Sequence, residues 1–214
     1  MNKTALLSGA TGLIGSALLP MLLASDRYAR VVVVGRRAVA LNHPKLSQVI
    51  TDLGRLDAVA AELRADDVYC CLGTTIKQAG SQAAFYQVDF KYVVALARLS
   101  AAGGAAQFLV VSSLGADAGS GIYYSRVKGE MEQAVRALSF RALHIFRPSL
   151  LLGERAQPRL GERVAAFGLA LFRPLLVGNL RQYRPVTVVA VAQAMLAAAT
   201  TEVSGARVHS SETL

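Results

Sequence analysis

The sequence predicts an α/β fold: a doubly wound parallel sheet with helices on both faces. Three observations lead there. A strand, a glycine turn and a helix start follow one another at the amino end; Arg30–Gly35 (RVVVVG) is a continuous β-branched run; and four further apolar runs alternate with segments of helical periodicity. The 214 residues are 53% hydrophobic and 17% charged, which supplies a large core and excludes a disordered chain. That length suits one domain, 1–214, and no internal repeat or second unit is visible.

The opening unit is Thr4–Gly15, TALLSGATGLIG. Thr4–Ser8 reads as a buried strand, and Gly9, Gly12 and Gly15 recur at three-residue spacing as an apolar helical pattern begins at Leu13. An anion at a helix N-terminus gains from unpaired amides and the positive dipole end, but only if the backbone can come close. Glycine at positions 9 and 12 permits that approach, and Gly15 lets the helix lie against the strand. The G-x-x-G-x-x-G spacing is one residue wider at its first step than the G-x-G-x-x-G dinucleotide fingerprint. Lys3 followed by an apolar run to Ala24 also resembles a signal peptide, but the glycines, Ser8 and Thr11 interrupt it and no A-x-A-like cleavage site follows.

The first helix should span Leu13–Ser25, bent at Pro20. Arg30–Gly35 then reads as a strand buried on both faces. At its end an acidic residue would serve a ribose 2′-hydroxyl, whereas this chain has Arg36 and Arg37, which suit a 2′-phosphate. NADP is therefore expected over NAD. Strands are expected at Gln48–Leu53, Asp67–Leu72, Gln107–Ser112 and Ala142–Phe146, with helices at Ser81–Ala102, closed by Gly103-Gly104, and at Ile122–Leu138. Ligands of such sheets collect at the carboxyl ends of the strands, where Gly9, Arg36, Asp52, Gly73, Ser112 and Ser113 fall.

After Pro148 the pattern loosens. Gly153–Gly161 reads as a loop over the site, Glu162–Phe172 as a helix and Val186–Ala199 as a second helix. Arg155, Arg159, Arg163, Arg173, Arg181 and Arg184 either line a pocket for an anionic substrate or form a solvated basic face. The apolar stretch Phe167–Val177 is a candidate homodimer surface. The longest uncharged apolar run here, Val164–Phe172, is too short to span a membrane.

A net charge of +9 raises nucleic acid or an anionic surface as partners, but no run of four basic residues occurs and none is interleaved with aromatics. Cys70 and Cys71 are adjacent, lie in an apolar run and have no metal-like spacing to a histidine. They read as buried thiols in a reducing compartment, hence the cytoplasm, and no metal site is expected.

Beyond the fifth strand the chain reads VVSSLGADAGSGIYYSRVKGEME. Tyr124 and Lys128 are four apart and share a helix face. An ammonium beside a phenol favours the phenolate, so this phenol can exchange a proton with a substrate oxygen, and Ser113 can donate a hydrogen bond to the same oxygen. Ser112 remains an alternative to Ser113. The fourth neighbour of Tyr123 is Val127, so Tyr123 is expected to pack or to contact substrate. Such a trio suits hydride transfer at a carbonyl or alcohol.

The segments GATGLIG, SSLGAD, YYSRVKGEME, FRPSLLLG and RPVTVVAVAQAM together resemble the short-chain dehydrogenase/reductase superfamily. Within it the chain is most similar to the atypical group related to the Tat-interacting oxidoreductase-like protein and its bacterial, epimerase-like relatives. The resemblance implies a Rossmann-type fold with a small substrate-side extension at 149–214. It implies NADP contacts at Gly9, Thr11, Gly12, Leu13, Ile14 and Gly15, a 2′-phosphate near Arg36 and Arg37, and adenine near Asp52 and Leu53. It also implies cofactor contacts at Leu72, Gly73, Thr74 and Lys128, a nicotinamide-side loop at Pro148 and Ser149, and catalysis by Ser113, Tyr124 and Lys128. The short C-terminal region, and Asp89 where the family carries Asn, point away from sugar-nucleotide epimerisation. An NADP-dependent oxidoreductase acting on a small carbonyl or the corresponding alcohol is expected, with a redox-sensing NADP-binding regulator that signals to a protein partner as the alternative.

Overall fold

The computed structural model describes residues 3–152, 184–201 and 203–213. Its central sheet has seven parallel strands: β1 (Lys3–Ser8), β2 (Tyr28–Gly35), β3 (Leu46–Ile50), β4 (Asp67–Cys70), β5 (Gln107–Val111), β6 (Ala142–Arg147) and β9 (Gly205–Ser210), in the order β3-β2-β1-β4-β5-β6-β9. The chain winds outward from β1 to β3 and returns to lay β4 beside β1. The crevice of the sheet therefore opens between the carboxyl ends of these two strands. A separate parallel pair joins β7 (Leu151–Leu152) to β8 (Val186–Thr187).

Both faces of the sheet are covered, which is why Val31–Val34 of β2 are β-branched without interruption. On one face Leu7, Val31, Val33, Leu109 and Phe146 pack with Leu18 and Leu22 of α1 (Leu13–Ala24) and Val191 and Met195 of α6 (Val188–Thr200). On the other, Leu6, Val32, Val34, Phe108 and Val110 meet Leu96 of α4 (Val93–Ala102) and Met131 and Val135 of α5 (Tyr123–Arg136). Successive residues Leu6 and Leu7 enter opposite cores, as the two-residue period of a strand requires. At the amino end of β4, the buried Asp67 accepts hydrogen bonds from Arg27, Tyr28 and Gln107, and Gln107 also donates to the Ala199 carbonyl of α6.

The elements differ from the sequence expectation in particulars. α1 runs through Pro20 without a break, because the missing amide falls on the exposed side of the helix. β3 ends at Ile50, since the Asp52 carboxylate accepts the Gly54 amide and starts a 3-10 segment, Leu53–Leu63. The expected helix from Ser81 is three pieces: α3 (Gln82–Tyr86), a π-helical stretch (Gln87–Tyr92) and α4. A short α2 (Ile76–Ala79) precedes it and stops at Gly80, whose φ is +84°. Val186 and Thr187 pair with β7 before α6 begins, with the Thr187 hydroxyl capping that helix. β9 was not expected: it is an edge strand with most residues exposed, so it lacks an alternating apolar pattern. The expected loop Gly153–Gly161, helix Glu162–Phe172 and dimer stretch Phe167–Val177 lie outside the described residues, as do Arg155, Arg159, Arg163, Arg173 and Arg181.

Two predictions concern these contacts. A Cβ on Gly129 of α5 would lie 2.1 Å from the Ala118 amide nitrogen, whereas one on Gly121 meets nothing within 4 Å. Gly129→Ala should cost about 1–3 kcal/mol or more, a fall of roughly 3–10 °C in thermal midpoint, and Gly121→Ala under about 0.5 kcal/mol. On the β6–β9 seam His144 Nδ1 lies 3.0 Å from His209 Nε2. Burial, with His209 and Arg207 nearby, pushes His144 from 6.5 down to about 4. The unfolded chain then binds this proton more readily than the folded one, so stability present above pH 6.5 is lost as the pH falls towards about 4. Thermal midpoints measured against pH should drop across that window, and His144→Gln should flatten the drop.

Candidate functional site

The turn after β1 is held by contacts that leave no space for a side chain. Gly9 has φ +86°, and a Cβ there would meet the Cys71 carbonyl oxygen at 2.4 Å. One on Gly15 would meet the Gly9 carbonyl oxygen at 2.2 Å, and one on Gly12 would meet the same oxygen at 3.2 Å. The Gly12 amide donates to Gly9 O over 2.9 Å, and the Ser16 amide bonds back to Gly12 O. As Gly12 caps α1 with no side chain, the amides of Leu13, Ile14 and Gly15 lack intrahelical acceptors, and no acidic residue lies in the first turn. This helix end attracts an anion.

A cleft of about 430 Å³ opens at that point. Of the residues expected from sequence, Gly9, Thr11, Gly12, Arg36, Arg37, Leu53, Leu72, Gly73 and Thr74 line it. Leu13, Ile14 and Gly15 face it only through the helix end, the Ile14 side chain being in the core. Asp52 does not line the cleft; its carboxylate is engaged as the cap of the 3-10 segment. Arg36 and Arg37 are exposed, neither is ion-paired to a described carboxylate, and Arg37 Nη2 lies 3.4 Å from Thr11 Oγ1. Sequence reasoning missed Gln78, Ala84, Val88 and Tyr92, which wall the cleft from α2, α3 and the π-helical stretch. No motif marks them, because ordinary helical residues become wall residues only through tertiary placement.

The second half of the site is built where α5 passes β4 and β5. Lys128 is buried, and its ammonium lies 2.7 Å from Oδ1 of the wholly buried Asp89. Asp89 Oδ2 accepts the Thr74 amide over 2.9 Å. A Cβ on Gly73 would stand 3.6 Å from Lys128 Nζ, so the cation lies behind that lining residue; Lys128, Tyr124 and Ser113 do not themselves line the cleft. Burial acts to discharge Lys128, but Asp89, aided by Tyr124, outweighs it and holds the ammonium above its ordinary range. One turn earlier, the half-buried Tyr124 ring leans on Phe85 at 5.2 Å between centroids. The Tyr123 hydroxyl donates to the Gln82 carbonyl, which makes it a packing residue.

The two serines part company. Ser112 Oγ donates to Glu132 Oε1 over 2.6 Å, and Glu132 also receives both arms of Arg147. Ser113 is buried with a hydroxyl that has no hydrogen-bond partner among the described residues. The loop after Ser113 packs on α5 at Ser125 and Gly129, bringing the end of β5 to the helix that carries Tyr124 and Lys128. Pro148 and Ser149 do not line the cleft. The Pro148 carbonyl accepts the Leu114 amide, and Ser149 bonds to Ser211 Oγ and to the Arg184 carbonyl.

Burial pushes the Cys70 thiol up to about 12 and Cys71 well above its ordinary value, so neither is a nucleophile or ligand near neutral pH. Among the described residues no three His, Cys, Asp or Glu side chains could hold a metal, and no helix is long and apolar enough to cross a membrane.

Known proteins are similar to this chain. The rat (Rattus norvegicus) protein HTATIP2 is 39% identical over 168 residues, covering 77% of this chain and 69% of its own. The mitochondrial protein fmp52 of Emericella nidulans is 33% identical over 168 residues, 75% of this chain and 72% of its own. That relative and further fungal ones are named mitochondrial, which overturns the cytoplasmic expectation. The physical reason is that free thiols, here the buried Cys70 and the half-buried Cys71, do not distinguish one reducing compartment from another. The structure of MoeE5 in complex with UDP-glucose and NAD superposes with a TM-score of 0.73 at 20% identity, over 96% of this chain and 74% of that one. The model of the NAD dependent epimerase/dehydratase family matches residues 5–209, and the chain belongs to that family.

Proposed function

We propose that the protein is an NADP-dependent oxidoreductase that reduces a small carbonyl compound or oxidises the corresponding alcohol. The observation that carries this reading is the Ser113 hydroxyl, without a partner among the described residues, beside a helix whose buried Lys128 lies behind Gly73 of a cleft with an anion-attracting floor. The amides opening α1 would hold a pyrophosphate, in a turn where any Cβ on Gly9 or Gly15 would obstruct the backbone. The choice of NADP is supported by Arg36 and Arg37 on the cleft wall and by the absence of any acidic residue among the described lining residues. A ribose diol would want a carboxylate there; a 2′-phosphate wants guanidinium groups.

When bound, the cofactor supplies or takes the hydride. Tyr124 handles the proton at the substrate oxygen, and the Lys128 ammonium supports the charge that develops on the phenol. Ser113 donates to the substrate oxygen as it becomes negative. Ser112 has no such role in this reading, because its proton is committed to Glu132.

Calorimetry should find NADP binding roughly tenfold or more tighter than NAD, and Arg36→Asp with Arg37→Ala should reverse the order. No heat with either dinucleotide would refute the reading. On a carbonyl panel with NADPH, Tyr124→Phe should lose about 10²–10⁴-fold in kcat with cofactor affinity kept. Binding without turnover on any panel member would favour a cofactor-sensing regulator instead. Ser113→Ala should lower kcat by about 10²–10³-fold and leave stability unchanged or raised, whereas Ser112→Ala should cost about 1.5–3 kcal/mol of stability by stripping Glu132 of a partner.

A further inference from the structure

We propose that Asp89 is a positioning residue whose carboxylate keeps the buried Lys128 charged and fixed beneath the Gly73–Thr74 turn. Its two oxygens divide the work: Oδ1 meets Lys128 Nζ at 2.7 Å, and Oδ2 accepts the Thr74 amide at 2.9 Å. A single buried carboxylate thus joins the π-helical stretch, the turn after β4 and helix α5. Gly73 is the point of closest approach, since a Cβ there would lie 3.4 Å from Asp89 Oδ1 and 3.6 Å from Lys128 Nζ.

Neither partner is exposed to water, with Lys128 at 3% and Asp89 at 0% relative exposure, so neither charge can be screened by solvent. A lone ammonium in that position would shed its proton or drag water inward. The groups facing Lys128 are Asp89 from the π-helical stretch, Tyr124 from its own helix and Cys70 from β4. Of these Asp89 is the carboxylate, and burial keeps the Cys70 thiol protonated. The π-helical turn is the device that admits Asp89: its wider winding adds a residue within the helix, with Val88 on the cleft wall and Phe90 stacked on Tyr86 to either side. Asp89 therefore acts on the site through Lys128 and Thr74.

The proposal rests on the reading above in assigning Lys128 to the reacting site. Its test needs neither cofactor nor substrate, so a failure of dinucleotide binding and a failure of this pairing are separate results. In protein labelled with ¹⁵N-lysine, the Lys128 ammonium resonance is assigned by its loss in Lys128→Met and followed against pH. In the native chain it should persist beyond the range of the exposed lysines. In Asp89→Asn its titration midpoint should fall by about two pH units or more, and Asp89→Glu should restore most of the difference. Should Asp89→Asn fold poorly, the double variant Asp89→Asn/Lys128→Met should melt higher than Asp89→Asn alone, because it removes the unpaired cation. An unchanged Lys128 titration in Asp89→Asn, or a double variant no more stable than the single one, would overturn the proposal.

Discussion

Everything at the carboxyl edge of the sheet depends on main chain touching main chain between Gly9 and Cys71. The Gly9 backbone rests against the Cys71 carbonyl, and α1 rests against Gly9 through Gly15. With no side chain interposed, the start of α1 is drawn into the crevice between β1 and β4, which is where the winding of the sheet reverses. The helix end brings three amides with no acceptor of their own. A Cβ at either glycine would push the helix outward and move those amides away from the cleft.

The opposite edge is built on different terms. There Asp67 collects Arg27, Tyr28 and Gln107, and Gln107 reaches on to α6, so that every arm of the cluster ties one element to another. Such a network stiffens the amino ends of β2, β4 and β5 and leaves the carboxyl ends to carry chemistry. The Ser112–Glu132–Arg147 cluster does the same service closer to the site. It pins the ends of β5 and β6 to α5, and by consuming the Ser112 hydroxyl it leaves Ser113 as the serine with a hydrogen bond still to give.

Much of this was legible in the chain. Six of the seven strands of the main sheet, the glycine turn, the arginine pair and the Tyr124–Lys128 spacing could all be read, because each is a local signal: periodicity, a backbone need, or a one-turn offset. What escaped reading was set at a distance. β9 gains its place from pairing with β6 while presenting few buried side chains, so no alternation marks it. Gln78 and Tyr92 line the cleft because α2 and the π-helical stretch fold back over it. The family resemblance implied an adenine ring near Asp52. Its carboxylate instead does the local work of an Asx cap, an alternative that this residue type always offers.

The choice between Ser112 and Ser113 illustrates how function and stability separate in a structure of this kind. Adjacent residues of one type, at the end of one strand, alternate in direction, so one faces Glu132 and the other does not. The paired hydroxyl lowers the energy of the folded chain; the unpaired one raises it by the cost of burying a polar group without a partner. The uncapped start of α1 and the π-helical turn at Asp89 are departures of the same sort, in which local optimum geometry is given up. Each of the three departures lies at or beside the cleft between β1 and β4 or at α5, where a ligand could complete what the chain leaves undone. Stability is supplied by the two apolar cores and the paired clusters.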